Sequence, residues 1–287
     1  MVPGSGGVAA RDPRPPRVAV QVAPQHLSYA DIRRTCAALE ELGVDVLFNW
    51  DHFFPLSGDP DGRHFECWTM LAAWAEATER VELGALVTCN SYRHPALLAD
   101  MARTVDHISA GRLILGIGSG WFERDYAEYG YELGTAGGRL DALDRDLPII
   151  KDRWARLNPP PTRPIPVLVG GGGERKTLRI VAEQADIWHG FGDPEVIAHK
   201  HGVLDRWCAQ VGRDPLAIER SAGVAFTPAR HPERSDLDYA AQAQALYDVG
   251  TRLLTLSLTT PPYDFGPIRD VLAWRDEILA HRDRPAH

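Results

Sequence analysis

The chain has 287 residues, which suits one large domain or two small ones. Its hydrophobic content of 44% and charged content of 24% are those of an ordinary soluble globular protein. A formal net charge of −8, without a long basic run, argues against a nucleic-acid-binding protein.

The four cysteines are scattered and lack the spacing of metal ligands, which favours a reducing cytoplasm and no metal site. No apolar run is long enough to cross a membrane, so no membrane partner is expected. Residues 1–16 are rich in Gly, Pro and Arg and lack the apolar segment of a signal peptide. We therefore expect a disordered N-terminal tail over 1–16 and a single domain over 17–287.

Short apolar runs rich in β-branched residues alternate along the chain with helical patterns. The predicted strands are 17–23, 44–49, 81–88, 113–117, 166–169, 186–189, 218–226 and 253–258. Helix boundaries are indicated by Ser28 as a cap, by Gly43 as a stop, and by prolines at first turns. Pro148, inside the fourth helical pattern, predicts a kink there.

Eight strands alternating with eight helical patterns predict an α/β fold with parallel strands. For this length we expect closure into a single (β/α)8 TIM barrel. A doubly wound open sheet is the alternative, but it usually carries a nucleotide fingerprint after its first strand. That position here is Pro24-Gln25-His26.

The active site of such a barrel lies at the carboxyl ends of its strands. Histidine, tryptophan, small hydroxyl residues and glycine gather at these ends in this sequence. The segments concerned are 24–26, 49–52, 88–91, 118–121, 170–173, 188–190, 226–228 and 259–260. This mixture suits a flat aromatic ligand with a phosphate arm.

The run Gly170-Gly171-Gly172-Gly173 follows a buried strand and precedes a helical pattern. Such a turn directs free backbone N–H groups and the positive end of a helix dipole at one point. Arg175 and Lys176 add full charges beside it. We expect a phosphate-binding turn, with a plain tight connection as the alternative.

Several other residues have both a functional and a structural interpretation. Asp51 and His52 form either a structural ion pair or a carboxylate-oriented acid/base. Glu123 is either a helix cap or a site residue, and Arg93-His94 either neutralise a ligand anion or lie at the surface. We expect His199 and His201 to be solvated on their helix, and Trp50, Trp121 and Trp188 taken singly to fill the core.

Four motifs resemble the bacterial-luciferase-like monooxygenase superfamily, and most closely its branch that uses the deazaflavin coenzyme F420. They are Trp50-Asp51-His52-Phe53, the segments 87–95 and 116–126, and the glycine run with the helix that follows it. The resemblance covers nearly the whole chain from Arg17. It implies a TIM-like barrel that binds a flavin or deazaflavin at the strand ends.

The resemblance also implies site residues. Cofactor-binding positions are Asp51, Ala85, Leu86, Thr88, Asn90, Gly118, Ser119, Gly170, Gly171, Gly172, Gly173 and Arg175. A non-proline cis peptide that supports the ring is expected at Ala85-Leu86. His52 is the implied acid/base and Glu123 a polar site residue. Related sugar-phosphate dehydrogenases use a Trp and a Glu at positions that match Leu56 and Trp121, which argues against sugar-phosphate oxidation.

The sequence thus predicts an F420-dependent oxidoreductase that transfers hydride to or from a small organic molecule. The segment 125–138 is a candidate lid. An FMN-dependent monooxygenase on the same fold is the main alternative. A phosphate-dependent isomerase or aldolase barrel and a non-catalytic binding barrel are the others. A homodimer is a possible oligomeric state.

Overall fold

A computed structural model describes residues 12–224 and 237–282. Its strands are β1 Arg17–Val22, β2 Val46–Asn49, β3 Glu82–Ala85, β4 Thr88–Cys89, β5 Leu113–Gly118, β6 Val167–Gly170, β7 Ile187–Gly190, β8 Glu219–Gly223 and β9 Leu253–Leu258. Its helices are α1 Tyr29–Leu42, α2 Cys67–Ala77, α3 Pro95–Ile108, α4 Glu123–Tyr129, α5 Ala136–Arg156, α6 Thr177–Gln184, α7 Pro194–Val211, α8 Tyr239–Asp248 and α9 Gly266–Arg282. Short 3-10 helices span Asn90–Tyr92 and Pro215–Ala217.

Local sequence signals begin and end several of these helices. Ser28 accepts a hydrogen bond from the Asp31 N–H at the start of α1, and Gly43, with φ of 95°, ends that helix in the left-handed conformation. The Glu66 carboxylate accepts from Trp68 and Thr69 N–H groups and so caps α2. Both predicted caps of α1 are confirmed.

The strand order is β3-β2-β1-β9-β8-β7-β6-β5-β4, and β3 also pairs with β5. The sheet therefore closes on itself as an eight-stranded parallel barrel alternating with helices, as predicted. All six residues of β5 are buried, which is typical of a parallel strand covered on both faces.

The predicted strand 81–88 is in fact two strands. β3 pairs with β2 through Asn49↔Ala85, whereas β4 pairs with β5 through Thr88↔Ile117. The non-proline cis peptide between them is Leu86-Val87, so its prediction at Ala85-Leu86 was wrong by one residue. The reason is that the Leu86 N–H still donates to the Asn49 carbonyl (2.8 Å). The hydrogen bonding between β2 and β3 therefore extends one residue beyond Ala85.

The described chain divides into two compact units, here called the N-unit and the C-unit. The N-unit comprises Gln21–Gly170 and Ser257–Tyr263. Its core includes the fully buried Phe48, Leu71 and Trp74. The C-unit comprises the remaining described residues, and Trp188, Ile180 and Leu204 are fully buried within it. The single domain over 17–287 stays a prediction.

The expected tail 1–16 is contradicted over its last residues. Asp12 is buried, and Arg14 binds the Asp12 carboxylate and the carbonyls of Leu216 and Ile218. A chain segment that makes these bonds is part of the C-unit, whereas residues 1–11 lie outside the described residues.

Two further expectations changed or could not be assessed. The candidate lid 125–138 is not one loop, because Asp125 to Tyr129 belong to α4 and 136–138 begin α5. The predicted strand end 226–228 falls outside the described residues, and so does Asp236, where the Ala-rich sequence predicts the start of a helix. Across 12–224 and 237–282, no helix is long and apolar enough to cross a membrane.

Candidate functional site

Asp51, just beyond the end of β2, is buried against Arg93. The Arg93 guanidinium donates to both carboxylate oxygens, at 2.6 and 3.0 Å, and the Cys89 N–H donates to Oδ2 at 3.0 Å. Burial raises the pKa of Asp51, and the guanidinium opposes this rise. The predicted pairing of Asp51 with His52 is therefore wrong, and Arg93 neutralises a protein carboxylate within the N-unit. The predicted contact of Asp51 with a cofactor ring stays a prediction.

His52 instead pairs with Asp125 on α4. The distance from His52 Nδ1 to Asp125 Oδ2 is 2.7 Å, and the Asp125 side chain is fully buried. An ionised carboxylate only accepts hydrogen bonds, so Nδ1 carries the proton and Nε2 is the ring nitrogen left for other partners. The pair has the geometry of an oriented acid/base.

Three donors converge on Asp125. Besides His52, the Phe53 N–H donates to Oδ1 at 3.0 Å and the Tyr92 hydroxyl donates to Oδ2 at 2.8 Å. Burial, followed by the nearby Cys89, raises the pKa of Tyr92, so this hydroxyl keeps its proton. Asp125 and Tyr92 were missed as site residues. The signal that could have found Asp125 is its place in the motif 116–126.

A second histidine lies near His52. The Trp50 indole N–H donates to His64 Nε2 at 3.1 Å, which leaves the His64 proton on Nδ1. Burial, followed by the charge of His52, lowers the pKa of His64 to about 4. His64 is thus neutral at pH 7 and adds no positive charge to the site. Trp50 is buried, as expected.

The residues of the β4 region serve different roles. Thr88 is fully buried, and its hydroxyl finds no partner among the described residues. Asn90 is buried, and its amide donates to Asp146 Oδ2 on α5 at 2.8 Å. Ala85 is buried in β3, so its side chain belongs to the barrel. Thr88 is therefore the residue here with a free polar group for a ligand.

The glycines predicted to line the ring lie against Val87. A Cβ at Gly118 would lie 2.7 Å from Val87 Cγ2, and one at Gly170 would lie 3.0 Å from Val87 Cγ1. Their missing side chains make room for Val87. Ser119, the next residue after Gly118, is half-buried.

Glu123 and Trp121 lie at the end of β5 on the exposed side. Glu123 is in the first turn of α4 and is exposed. Trp121 is 61% exposed and contacts the His52 ring edge-on, with centroids 5.6 Å apart. Trp121 therefore does not fill the core, in contrast to the fully buried Trp188.

The glycine turn belongs to the C-unit from Gly171 onward. Gly171, with φ of 129°, donates through its N–H to the His189 carbonyl at 3.0 Å and accepts from the Trp188 indole at 2.8 Å. The N–H groups of Gly172 and Gly173 have no hydrogen-bond partner among the described residues. The turn thus presents free donors.

A three-residue turn separates the glycine run from the helix that follows it. α6 begins at Thr177, after a turn over 174–176, and Arg175 is exposed. Lys200 on α7 was missed; its Nζ lies 2.6 Å from Glu174 Oε1, and its Cε would be 3.9 Å from a Cβ at Gly172. Lys200 therefore lies beside the free donors with its charge balanced by Glu174, a pair that the local sequence did not reveal.

The two histidines of α7 differ. His199 is exposed, as predicted, but His201 is buried with Nδ1 2.9 Å from the Val249 carbonyl. Burial, followed by Arg220, lowers the pKa of His201 to about 3. The expectation that His201 is solvated was wrong, since the buried positions 197, 201, 204 and 208 follow a helical period.

Residues 13–282 match the model of the luciferase-like monooxygenase family. The chain belongs to this family. The chain is also similar to the uncharacterized protein Rv0940c of Mycobacterium tuberculosis. The two are 30% identical over 266 residues, which cover 81% of this chain and 86% of that protein.

A relative with a named activity is the F420-dependent glucose-6-phosphate dehydrogenase of Amycolatopsis mediterranei. It is 28% identical over 176 residues, which cover 55% of this chain and 52% of that protein. The chain thus spans about half the length of this relative. A second relative with a named activity is the pyrimidine monooxygenase RutA of Allorhizobium ampelinum, which is 30% identical over 141 residues covering 43% of this chain and 38% of that protein. The family and these two relatives indicate an oxidoreductase, as the sequence predicted.

Solved structures share the fold. An F420-dependent secondary alcohol dehydrogenase in complex with an F420-acetone adduct has a TM-score of 0.79 and 15% identity, covering 91% of this chain and 99% of the other. The oxygenating constituent of 3,6-diketocamphane monooxygenase from Pseudomonas putida, in complex with FMN, has a TM-score of 0.71 and 14% identity, covering 94% and 99%. Both support the luciferase-like barrel.

Proposed function

We propose that the chain is an oxidoreductase that transfers a hydride between coenzyme F420 and a small organic substrate, with His52 as the proton donor or acceptor. The observation that carries this proposal is the His52–Asp125 pair at 2.7 Å. Conversion between an alcohol and a carbonyl compound needs a group that moves a proton as the hydride moves. The name of the Amycolatopsis relative supports the choice of F420.

Two features of the chain fit a cofactor with a ring and a phosphate. In the N-unit, the buried Thr88 hydroxyl lacks a partner among the described residues, and an unpaired buried hydroxyl is costly without a ligand. In the C-unit, Gly172 and Gly173 offer free N–H donors with Lys200 close by. Charge-assisted N–H bonds contribute about 1.5–3 kcal/mol each.

The chemistry that the deazaflavin supplies when bound is hydride acceptance or donation. The residues of the chain position the substrate and exchange a proton with it. Asp125 holds the His52 ring through Nδ1, so Nε2 takes the proton from a substrate hydroxyl or gives one to a carbonyl oxygen. The bonds from Phe53 N–H and Tyr92 to Asp125 fix the orientation of that carboxylate.

An FMN-dependent monooxygenase is the second candidate, favoured by the match to the luciferase-like monooxygenase family and by the neighbour in complex with FMN. Titrating the purified protein with F420 and with FMN, followed by absorbance, separates the two. Saturable F420 binding supports the first proposal. Tight FMN binding without F420 binding would replace it with the second.

A matched pair of variants tests whether the glycine turn binds the phosphate of the cofactor. Gly172→Val and Gly202→Val both lie in the C-unit, and at each position a Cβ meets only a flexible side chain, Lys200 or Arg206. We expect Gly172→Val to weaken F420 binding ten- to a hundredfold, which is about 1.4–2.8 kcal/mol, and Gly202→Val to leave it unchanged. Equal binding by both variants would remove the glycine turn from the site.

A further inference from the structure

An exposed indole lies next to a histidine that is nearly buried. The Trp121 ring is 61% exposed, and the His52 side chain is 12% exposed. The two rings meet edge to face, at 5.6 Å between centroids and 74° between planes. Exposed apolar surface that adjoins a reactive polar group is typical of a ligand-binding site.

Two more aromatic rings enclose His52. Phe122 lies 5.4 Å away at 88°, and Trp50 lies 6.3 Å away at 76°. Asp125 occupies Nδ1. Three aromatic rings therefore lie around His52, and Trp121 is the one with the most exposed surface.

The charges around these rings disfavour an anion. The segments 50–66 and 119–130 carry seven carboxylates and two arginines. Of these arginines, Arg124 binds the Pro60 carbonyl and Asp61 and stacks on Phe54 at 3.9 Å. A phosphate or carboxylate on a substrate would meet a negative potential here.

The nearby cations outside these segments are also engaged. Arg93 pairs with Asp51 and Glu66, and Arg139 donates to the carbonyls of Gly120 and Leu133. Within the two segments Arg63 is the other arginine, and it is exposed. Five of the seven carboxylates pair with His52, Arg93 or Arg124, and the set as a whole still has more carboxylates than arginines.

We infer that the substrate is an uncharged compound whose hydroxyl or carbonyl carbon bears an aromatic or other apolar group, and that Trp121 and Phe122 contact that group. This inference rests on the proposed function for its reacting oxygen. The burial of Trp121 surface by an apolar group favours binding, and aromatic edges orient a ring beside them. The excess of carboxylates disfavours phosphorylated substrates.

The test uses the indole N–H signals of the ¹⁵N-labelled full-length protein, both without cofactor and with F420 added. The Trp121 signal is the one missing in Trp121→Phe. The probes are 1-phenylethanol, as a neutral aromatic alcohol, and glucose 6-phosphate, as an anionic one. We expect 1-phenylethanol to shift the Trp121 signal saturably and glucose 6-phosphate to leave it in place.

Two variants measure the contribution of the ring. Trp121→Ala should weaken 1-phenylethanol binding about tenfold. Leu97→Ala, a change at another exposed apolar residue of the N-unit, should leave it unchanged. A Trp121 signal moved by glucose 6-phosphate, or unmoved by 1-phenylethanol in both states, would overturn the inference. Failure of F420 to bind, with the shift by 1-phenylethanol retained, would overturn the proposed function and support the substrate contact.

Discussion

His52 Nδ1 lies 2.7 Å from Asp125 Oδ2, although the two residues are 73 positions apart in the chain. Since the same carboxylate accepts from the Phe53 N–H, it fixes both the imidazole and the backbone beside it. The buried carboxylate therefore determines which ring nitrogen is protonated. This relationship gives the acid/base assignment a physical test that needs no substrate.

Asp125→Asn should reverse the tautomer of neutral His52. The amide oxygen keeps the bond from the Phe53 N–H, so the amide NH2 faces Nδ1 and donates to it, which moves the proton to Nε2. Long-range ¹H–¹⁵N spectra at pH 8 report the tautomer directly. Tyr92→Phe is the control, because it removes one donor from Asp125 and leaves the carboxylate in place. Unchanged spectra in Asp125→Asn would contradict the assignment.

Arg93→Ala should destabilise the fold by about 3–5 kcal/mol, because it leaves the Asp51 carboxylate buried without its partner. Urea unfolding measures the change. Arg124→Ala is the matched control, since its bridge to Asp61 is exposed and exposed pairs contribute little to stability. Similar losses of unfolding free energy in the two variants would show that the buried Asp51–Arg93 pair stabilises the fold no more than the exposed pair does.

Gly120→Ala should cost about 3 kcal/mol. Gly120 has φ of 79°, and its added Cβ would overlap Tyr126 Oη and lie 2.5 Å from Cys89 Sγ. Gly130→Ala separates the cost of the left-handed backbone from the cost of the steric overlap. Gly130 has φ of 73°, and nothing described lies within 4 Å of its added Cβ. Its expected cost is about 1 kcal/mol, from the left-handed backbone alone. Thermal and urea unfolding of the two variants should therefore differ.

Acidification should destabilise the protein through His201. Its pKa is lowered to about 3 from 6.5, so the unfolded chain binds more protons between these values and stability falls as the pH drops through that window. Between pH 7 and 5 this one residue accounts for about 2 kcal/mol. His201→Gln should flatten the dependence of urea unfolding on pH by that amount. His199→Gln, an exposed change two residues away, should leave the slope as it is.

What the sequence predicted well is what neighbouring residues determine. The alternation of strands and helices, the Ser28 cap and the Gly43 stop all depend on residues within a few positions of each other. Closure of the barrel followed from the count of units. These features could be predicted because their causes are local or topological.

The site was harder to predict because its pairs are distant in sequence. Arg93 and Asp51 are 42 positions apart, and no spacing rule joins them. The adjacent Asp51 and His52 suggested a pair, yet each has a different partner. His201 was mistaken for a surface residue because a polar side chain was read as exposed, although its helical position among apolar residues indicated burial.

Arg93 also joins the two ends of one segment, since Asp51 precedes and Glu66 follows residues 52–65. Because one guanidinium holds both ends, the stability of the fold depends only weakly on the length of the segment between them. Doubling that length costs only about 0.6 kcal/mol in closure entropy. Residues 54–63, which lie between the site residues Phe53 and His64, are therefore suited to loop grafting. A graft that retains Arg93 and its two carboxylates can change what surrounds the histidine without rebuilding the barrel.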